Sequence, residues 1–196
     1  MTFDTLLEIL GFITGLFYLW WEYHANARLW LASVIMPAIS MWIYLSKGLY
    51  ADFAINIYYF LIAIYGYAVW RGYVPGKRER AAVPPIRHIR GAALVTSTVA
   101  FAALWVAIWA GLHWLTNSTV PVADAFTTAL SIVAMWMLAR RYIEQWLAWL
   151  AVDAVCVGLY IYKGIYLYAT LYAIYTVIAL LGYRKWQRKM AAETER

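Results

Sequence analysis

Charge is scarce in this chain. Of its 196 residues only 13% are Asp, Glu, Lys or Arg, while 65% are apolar. A soluble domain carries about 25% charged and 45–50% apolar residues, so a water-soluble globule is excluded. Cysteine is almost missing: Cys156 stands alone inside an apolar run and cannot form an internal disulfide. Histidine is nearly as rare. His24, His88 and His113 fall in separate stretches, and no HExxH spacing occurs. Neither a metal-ligand set nor a nucleophile–base pair follows from them, so the expectation is no enzyme, no metal and no cofactor. Lysine is absent between Ile165 and Tyr183, which excludes a Schiff-base pigment built on the last helix. The start, MTFDTLLEIL, lacks a basic segment and a small-residue cleavage site, and no cleavable signal peptide is expected.

What the chain does have is a series of apolar runs of about 20 residues, each long enough to cross a bilayer as a helix. Seven spans are expected in one transmembrane domain over residues 1–196: about Thr5–Tyr23, Leu29–Ser46, Leu49–Trp70, Ala92–Leu115, Val122–Arg140, Ile143–Tyr162 and Ile165–Trp186. Between the third and fourth lies RGYVPGKRERAAVPPIRHIR, a loop rich in Pro, Gly and Arg, and a charged tail closes the chain at 187–196. The basic residues set the orientation. With the N-terminus outside and the C-terminus inside, fourteen of the sixteen Lys and Arg residues lie on the inner side, and only Lys47 and Lys163 lie outside. The +6 net charge is therefore a matter of topology and lipid headgroups, not of nucleic acid. A bacterial inner membrane is the expected location.

The chain also repeats itself. Moved by 116 residues, Trp30 falls on Trp146, Lys47-Gly48 on Lys163-Gly164, Gly66-Tyr67 on Gly182-Tyr183 and Trp70 on Trp186. Fourteen of the 41 pairs from Trp30 to Trp70 are identical without a gap. Helices 1–3 thus recur as helices 5–7, with helix 4 as a linker that returns the chain to the same side, so the two halves are parallel. The expected fold is all-α with a 3+1+3 parallel repeat.

Helix 6 carries the most informative stretch, EQWLAWLAVD. Trp146, Trp149 and Asp153 are spaced three and four apart and share one helix face. Asp153 falls near the middle of the span, where an acid costs roughly 2.5–3.5 kcal/mol on insertion scales. A flat, cationic ligand stacked on the indoles and bonded to the carboxylate would offset that cost. In helix 3 the amide of Asn56 must face the bundle, with Tyr59 and Phe60 one turn on; Tyr172 is its repeat mate. Pro37, the mate of Asp153, kinks helix 2 and frees a carbonyl. Asp52 and Lys47 mark the outer mouth. Glu8 and Asp124 are expected to bond neighbouring helices, with gating as the other reading for both.

WxxWxxxD, KGxY, GYxxW and LYADxxxNxxY, taken with the repeat, resemble the Pnu family of vitamin transporters, from Glu8 to Trp186. The family includes nicotinamide riboside (PnuC) and thiamine (PnuT) branches. The resemblance implies a fold related to the SWEET sugar transporters, a homotrimer, and facilitated diffusion with a cytoplasmic kinase trapping the product. It makes Trp146 and Trp149 the stacking residues and places Asn56 and Asp153 where the riboside branch has Gln and Asn. Those two departures lean toward thiamine, whose aminopyrimidine suits a carboxylate. Nicotinamide riboside, riboflavin and a proton-coupled carrier stay open as alternatives.

Overall fold

The computed structural model describes residues 14–46, 50–73, 83–116 and 118–194. Residues 14–23 form the described part of α1. There follow α2 (Leu29–Ser46), α3 (Tyr50–Trp70), α4 (Ala92–Leu115), α5 (Pro121–Ala139), α6 (Gln145–Tyr162) and α7 (Tyr166–Thr194). No strand occurs among the described residues. Helices α3 to α7 are each long and apolar enough to cross a membrane, and α2 carries a shorter apolar stretch from Leu29 to Trp42. Large apolar side chains line their outsides, such as Val95, Val99 and Val106 on α4. Such a surface is unfavourable in water and natural against acyl chains.

From Leu29 to the end of α6 the expected boundaries hold within a few residues; the start expected for the first span at Thr5 lies outside the described residues, and the end of α7 differs. The charged segment after Trp186 reads as a tail in the sequence, yet α7 continues to Thr194. QRKMAAET contains no Gly or Pro and is rich in helix formers. Its last turn is also tied down. The Glu193 carboxylate accepts the Ile86 N–H at 2.8 Å and meets the Arg141 guanidinium at 3.4 Å.

The chain divides into two compact units, Met1–Pro84 and Pro85–Arg196. In the first, α2 packs along α3. Trp30 is fully buried and meets Trp70 edge to face, with ring centres 5.9 Å apart. Its indole lies so close over Gly66 that an alanine methyl there would overlap it. On α1, Tyr18 is hydrogen-bonded to Glu22, which is buried, and Tyr59 of α3 stands nearby. Pro37 is buried inside an unbroken α2.

In the second unit α4 packs on α5, α5 on α6 and α6 on α7. Phe101, Trp105 and Phe126 interlock between α4 and α5, and the Trp105 indole donates to the Val122 carbonyl at 3.1 Å. The loop before α4 is anchored rather than loose at its C-terminal end. Arg87 bridges Tyr142, donating to the Arg141 carbonyl and accepting from the Ile143 N–H. Glu144 takes the Ile89 N–H at 2.9 Å and His88 Nδ1 at 2.7 Å. Ile89 itself enters a core of Val133, Met137 and Tyr142.

Local geometry recurs between the units at the offset found in the sequence. Trp146 meets Trp186 edge to face at 5.9 Å and covers Gly182 as Trp30 covers Gly66. The α1–α2 and α5–α6 turns match bond for bond: Asn26 N–H to Trp21 carbonyl and Tyr142 N–H to Met137 carbonyl, then Ala25 to Glu22 and Arg141 to Leu138. Each turn puts a non-glycine residue in the left-handed region, Ala25 at φ 50 and Arg141 at φ 59. This is the helix-ending arrangement that glycine usually occupies.

Candidate functional site

Helix α6 is organised by the apolar run that forms it and by the partners of its two faces. One face holds Trp146, only 2% exposed and enclosed by Gly182 and Trp186 of α7. Protein therefore contacts both the face and the edge of that indole. Another stripe runs Gln145, Trp149, Asp153, at successive spacings of four. Gln145 is 0% exposed, and neither its Oε1 nor its Nε2 has a hydrogen-bond partner among the described residues. Trp149 is half-buried and its Nε1 is likewise unpartnered. Asp153 is 7% exposed and forms no hydrogen bond or ion pair among the described residues.

Unmet polar atoms in an apolar surrounding are costly, about 1–3 kcal/mol each and more for a charge. Three such groups stand in one line on one helix, the amide and the indole N–H without a hydrogen-bond partner among the described residues and the carboxylate 7% exposed. Aromatic walls stand beside it. Tyr172 of α7 stacks on Tyr160 at 5.2 Å and meets Tyr175 edge to face at 5.7 Å. Asp153 is within electrostatic reach of Tyr172, Tyr175 and Cys156. The second unit thus brings Trp149, Asp153 and Tyr172 together, with Trp146 behind them on the same helix.

The first unit holds the other expected residues. Asn56, Tyr59 and Phe60 are half-buried on α3, and Tyr58 and Tyr59 adjoin at 5.6 Å. Asp52 lies in the first turn of α3, but its side chain is outside what is described, and Glu8 and Lys47 lie outside the described residues. Asp124 does bond its surroundings, accepting from the Ser118 hydroxyl at 2.8 Å and meeting Lys163 at 3.8 Å.

Two residues stand out that the sequence alone did not single out. Gln145 sits beside Glu144 at the edge of a span, where polar residues are ordinary. Its only signal is the repeat, which pairs it with the buried Leu29. Glu22 closes α1 and reads as a boundary charge, yet it is 2% exposed. No group of three or more metal-ligating side chains gathers among the described residues.

At the α5–α6 turn of the second unit, Arg141 is buried, and that burial lowers its pKa from the usual arginine value, opposed by the Glu193 carboxylate. The pair fastens the end of α7 to the start of α6 and does not face the Gln145–Trp149–Asp153 line by any contact described.

A family model described as nicotinamide mononucleotide transporter matches residues 5–188. Among curated proteins, the nicotinamide riboside transporter PnuC of Escherichia coli (strain K12) is 36% identical over 66 residues, 34% of this chain and 28% of that protein. The riboflavin/roseoflavin transporter RibM of Streptomyces davaonensis is 37% identical over 130 residues, 64% of this chain and 58% of that one. The PnuC of Neisseria mucosa is 22% identical over 162 residues, 80% and 60% of the two chains. These alignments span between 28% and 60% of the relatives' lengths. The crystal structure of the vitamin B3 transporter PnuC shares the fold, with a TM-score of 0.68 at 22% identity over 96% of this chain and 83% of that one.

Proposed function

Because the chain belongs to the nicotinamide mononucleotide transporter family, we propose that it is a multi-pass membrane transporter for a flat vitamin, with nicotinamide riboside as the first candidate. The observation that carries this reading is the α6 line of Gln145, Trp149 and Asp153, buried polar groups without hydrogen-bond or ion-pair partners among the described residues. The pyridinium of the riboside is flat and permanently positive. A desolvated cation over an indole gains about 2 kcal/mol or more, and a buried carboxylate without a cation of its own favours the same ligand. The carboxamide and ribose hydroxyls offer donors and acceptors that match Gln145 and Asp153. The relatives named above are nicotinamide riboside and riboflavin carriers, and they do not support the lean toward thiamine drawn from Asn56 and Asp153. Riboflavin is the second reading, because RibM aligns over 64% of this chain.

Trp149, Asp153 and Tyr172 touch the ligand, and Trp146 holds α6 against α7. Pro37 is the flexible point of α2, and Glu8 and Asp52 belong to the outer mouth. The repeated Trp–Trp–Gly packing and the repeated turns support a 3+1+3 repeat of the SWEET kind. The N-terminus lies outside and the C-terminus inside a bacterial inner membrane. The protein works as a homotrimer by facilitated diffusion, and a cytoplasmic kinase traps the product. Uptake of labelled riboside into proteoliposomes tests the function. It should equilibrate without a proton gradient and be unchanged when an imposed one is collapsed; uptake that requires the gradient would make the protein a coupled carrier instead.

A further inference from the structure

The two repeats differ most usefully where their turns are most alike. In the first unit Asn26, Ala27 and Arg28 line a cavity of about 360 Å³ with Leu31 of α2 and with Tyr67 and Arg71 at the end of α3. Moved by 116 residues, the first three become Tyr142, Ile143 and Glu144. Those mates are all occupied by the protein's own linker. Tyr142 bridges Arg87 and lies under its guanidinium at 5.0 Å, Ile143 donates to the Arg87 carbonyl, and Glu144 receives Ile89 and His88. The ledge that a linker segment fills in the second unit is, in the first, the wall of a cavity.

The chemistry of the ledge is reversed as well. Glu144, an acceptor for N–H groups, is replaced by Arg28, which only donates; Gln187 is replaced by Arg71. Neither Arg28 nor Arg71 has an ion pair among the described residues. Arg71 is held at the rim with its guanidinium over the Tyr67 ring at 5.4 Å. The Arg28 N–H donates to Asn26 Oδ1 at 3.0 Å, which leaves the Asn26 amide nitrogen as a further donor. The polar side chains of the cavity wall can thus all donate, and two of them carry full positive charge.

We propose that this cavity binds a phosphate group, gripped by the guanidinium forks of Arg28 and Arg71. Two planar forks on one cavity match the several equivalent oxygens of a phosphate better than a single carboxylate. Two sources can supply that group. One is the headgroup of an anionic phospholipid, whose chains would run along Leu31, 51% exposed at the rim. The other is a soluble phosphate monoester from the cytoplasm, reaching the cavity on the orientation proposed above. The binding chemistry itself depends on neither the vitamin nor the orientation.

The test uses the full purified chain and reads two titrations by thermal shift and calorimetry. One adds inorganic phosphate at constant ionic strength. The other adds phosphatidylglycerol to protein held in phosphatidylcholine nanodiscs. Arg28→Gln and Arg71→Gln should each lower affinity at least tenfold, while Arg188→Gln, which removes an exposed charge outside the cavity, should not. Arg28→Lys and Arg71→Lys keep the charge and lose the fork, and should fall in between; they also serve if a Gln variant fails to fold. Stabilisation by phosphatidylglycerol alone assigns the site to lipid, and stabilisation by phosphate alone assigns it to a soluble ligand. Binding of neither, or binding that survives both Gln variants, overturns the proposal. Riboside uptake, measured on the same variants, separates this result from the transport reading.

Discussion

Asp153 is the residue whose cost is easiest to state and whose role is easiest to test. Replacing it by Asn keeps the shape and removes the charge. Riboside affinity should then fall about tenfold, or roughly 1.4 kcal/mol, with thermal stability kept or raised, because an uncompensated charge has gone. Trp149→Ala should weaken binding by a similar factor or more through lost stacking. Gln145→Leu installs the residue of the other repeat. It removes two polar atoms that have no hydrogen-bond partner among the described residues, so the melting temperature should hold or rise by a few degrees. Affinity should fall about tenfold, and calorimetry beside a melting curve reads both; a variant that loses stability but keeps affinity would make Gln145 a packing residue. At this scale Asp153 and Trp149 are legible in the chain itself, since an acid and an indole on one stripe of an apolar span stand out. Gln145 is not, because polarity next to Glu144 looks like the end of a span. For Trp146 the sequence shows the indole but not the face it covers. That depends on Gly182, a whole helix further along the chain, and only the packing connects them.

Among elements, the two Trp–Gly contacts are the sharpest feature. Gly66→Ala and Gly182→Ala each push a methyl into a buried indole, and overpacking of this kind costs about 1–3 kcal/mol. Both variants should melt several degrees lower; an unchanged melting temperature in either would mean that helix pair is looser than described. The C-terminal turn of α7 makes a second case. Glu193→Gln removes the carboxylate charge that meets the buried Arg141 guanidinium at 3.4 Å and should cost about 2 kcal/mol, whereas a fully exposed ion pair would contribute at most about 1 kcal/mol. If Glu193→Gln melts like the unaltered protein, the tie to Arg141 is a surface contact only. The spans themselves are legible in the sequence because length and apolarity suffice to mark them. The helical extension from Gln187 to Thr194 is not, because a charged run reads as a tail until Ile86 and Arg141 are seen to hold its last turn. The left-handed residues of the two turns are hidden for a related reason: Ala25 and Arg141 are not the glycine that such a turn usually announces.

For the whole molecule, the repeat is visible as identities at one offset, and the matching turn bonds and Trp–Trp angles of the two units agree with it. The vitamin is less legible. Stacking indoles and a buried acid suit several flat cations, and one side chain at position 153 leans on the choice without making it. The orientation can be measured directly. In a Cys156→Ala background, Thr119→Cys should react with a membrane-impermeant maleimide added outside, and Ala192→Cys should react only after the membrane is opened. The reverse pattern would invert the protein and place the basic loops on the outer face.

The most direct measurement is calorimetric titration of the purified protein with nicotinamide riboside, riboflavin and thiamine in turn. The riboside should bind most tightly, and Asp153→Asn should weaken it about tenfold. Tight binding of thiamine alone, or riboside binding indifferent to both Trp149 and Asp153, would contradict the proposed site and its ligand.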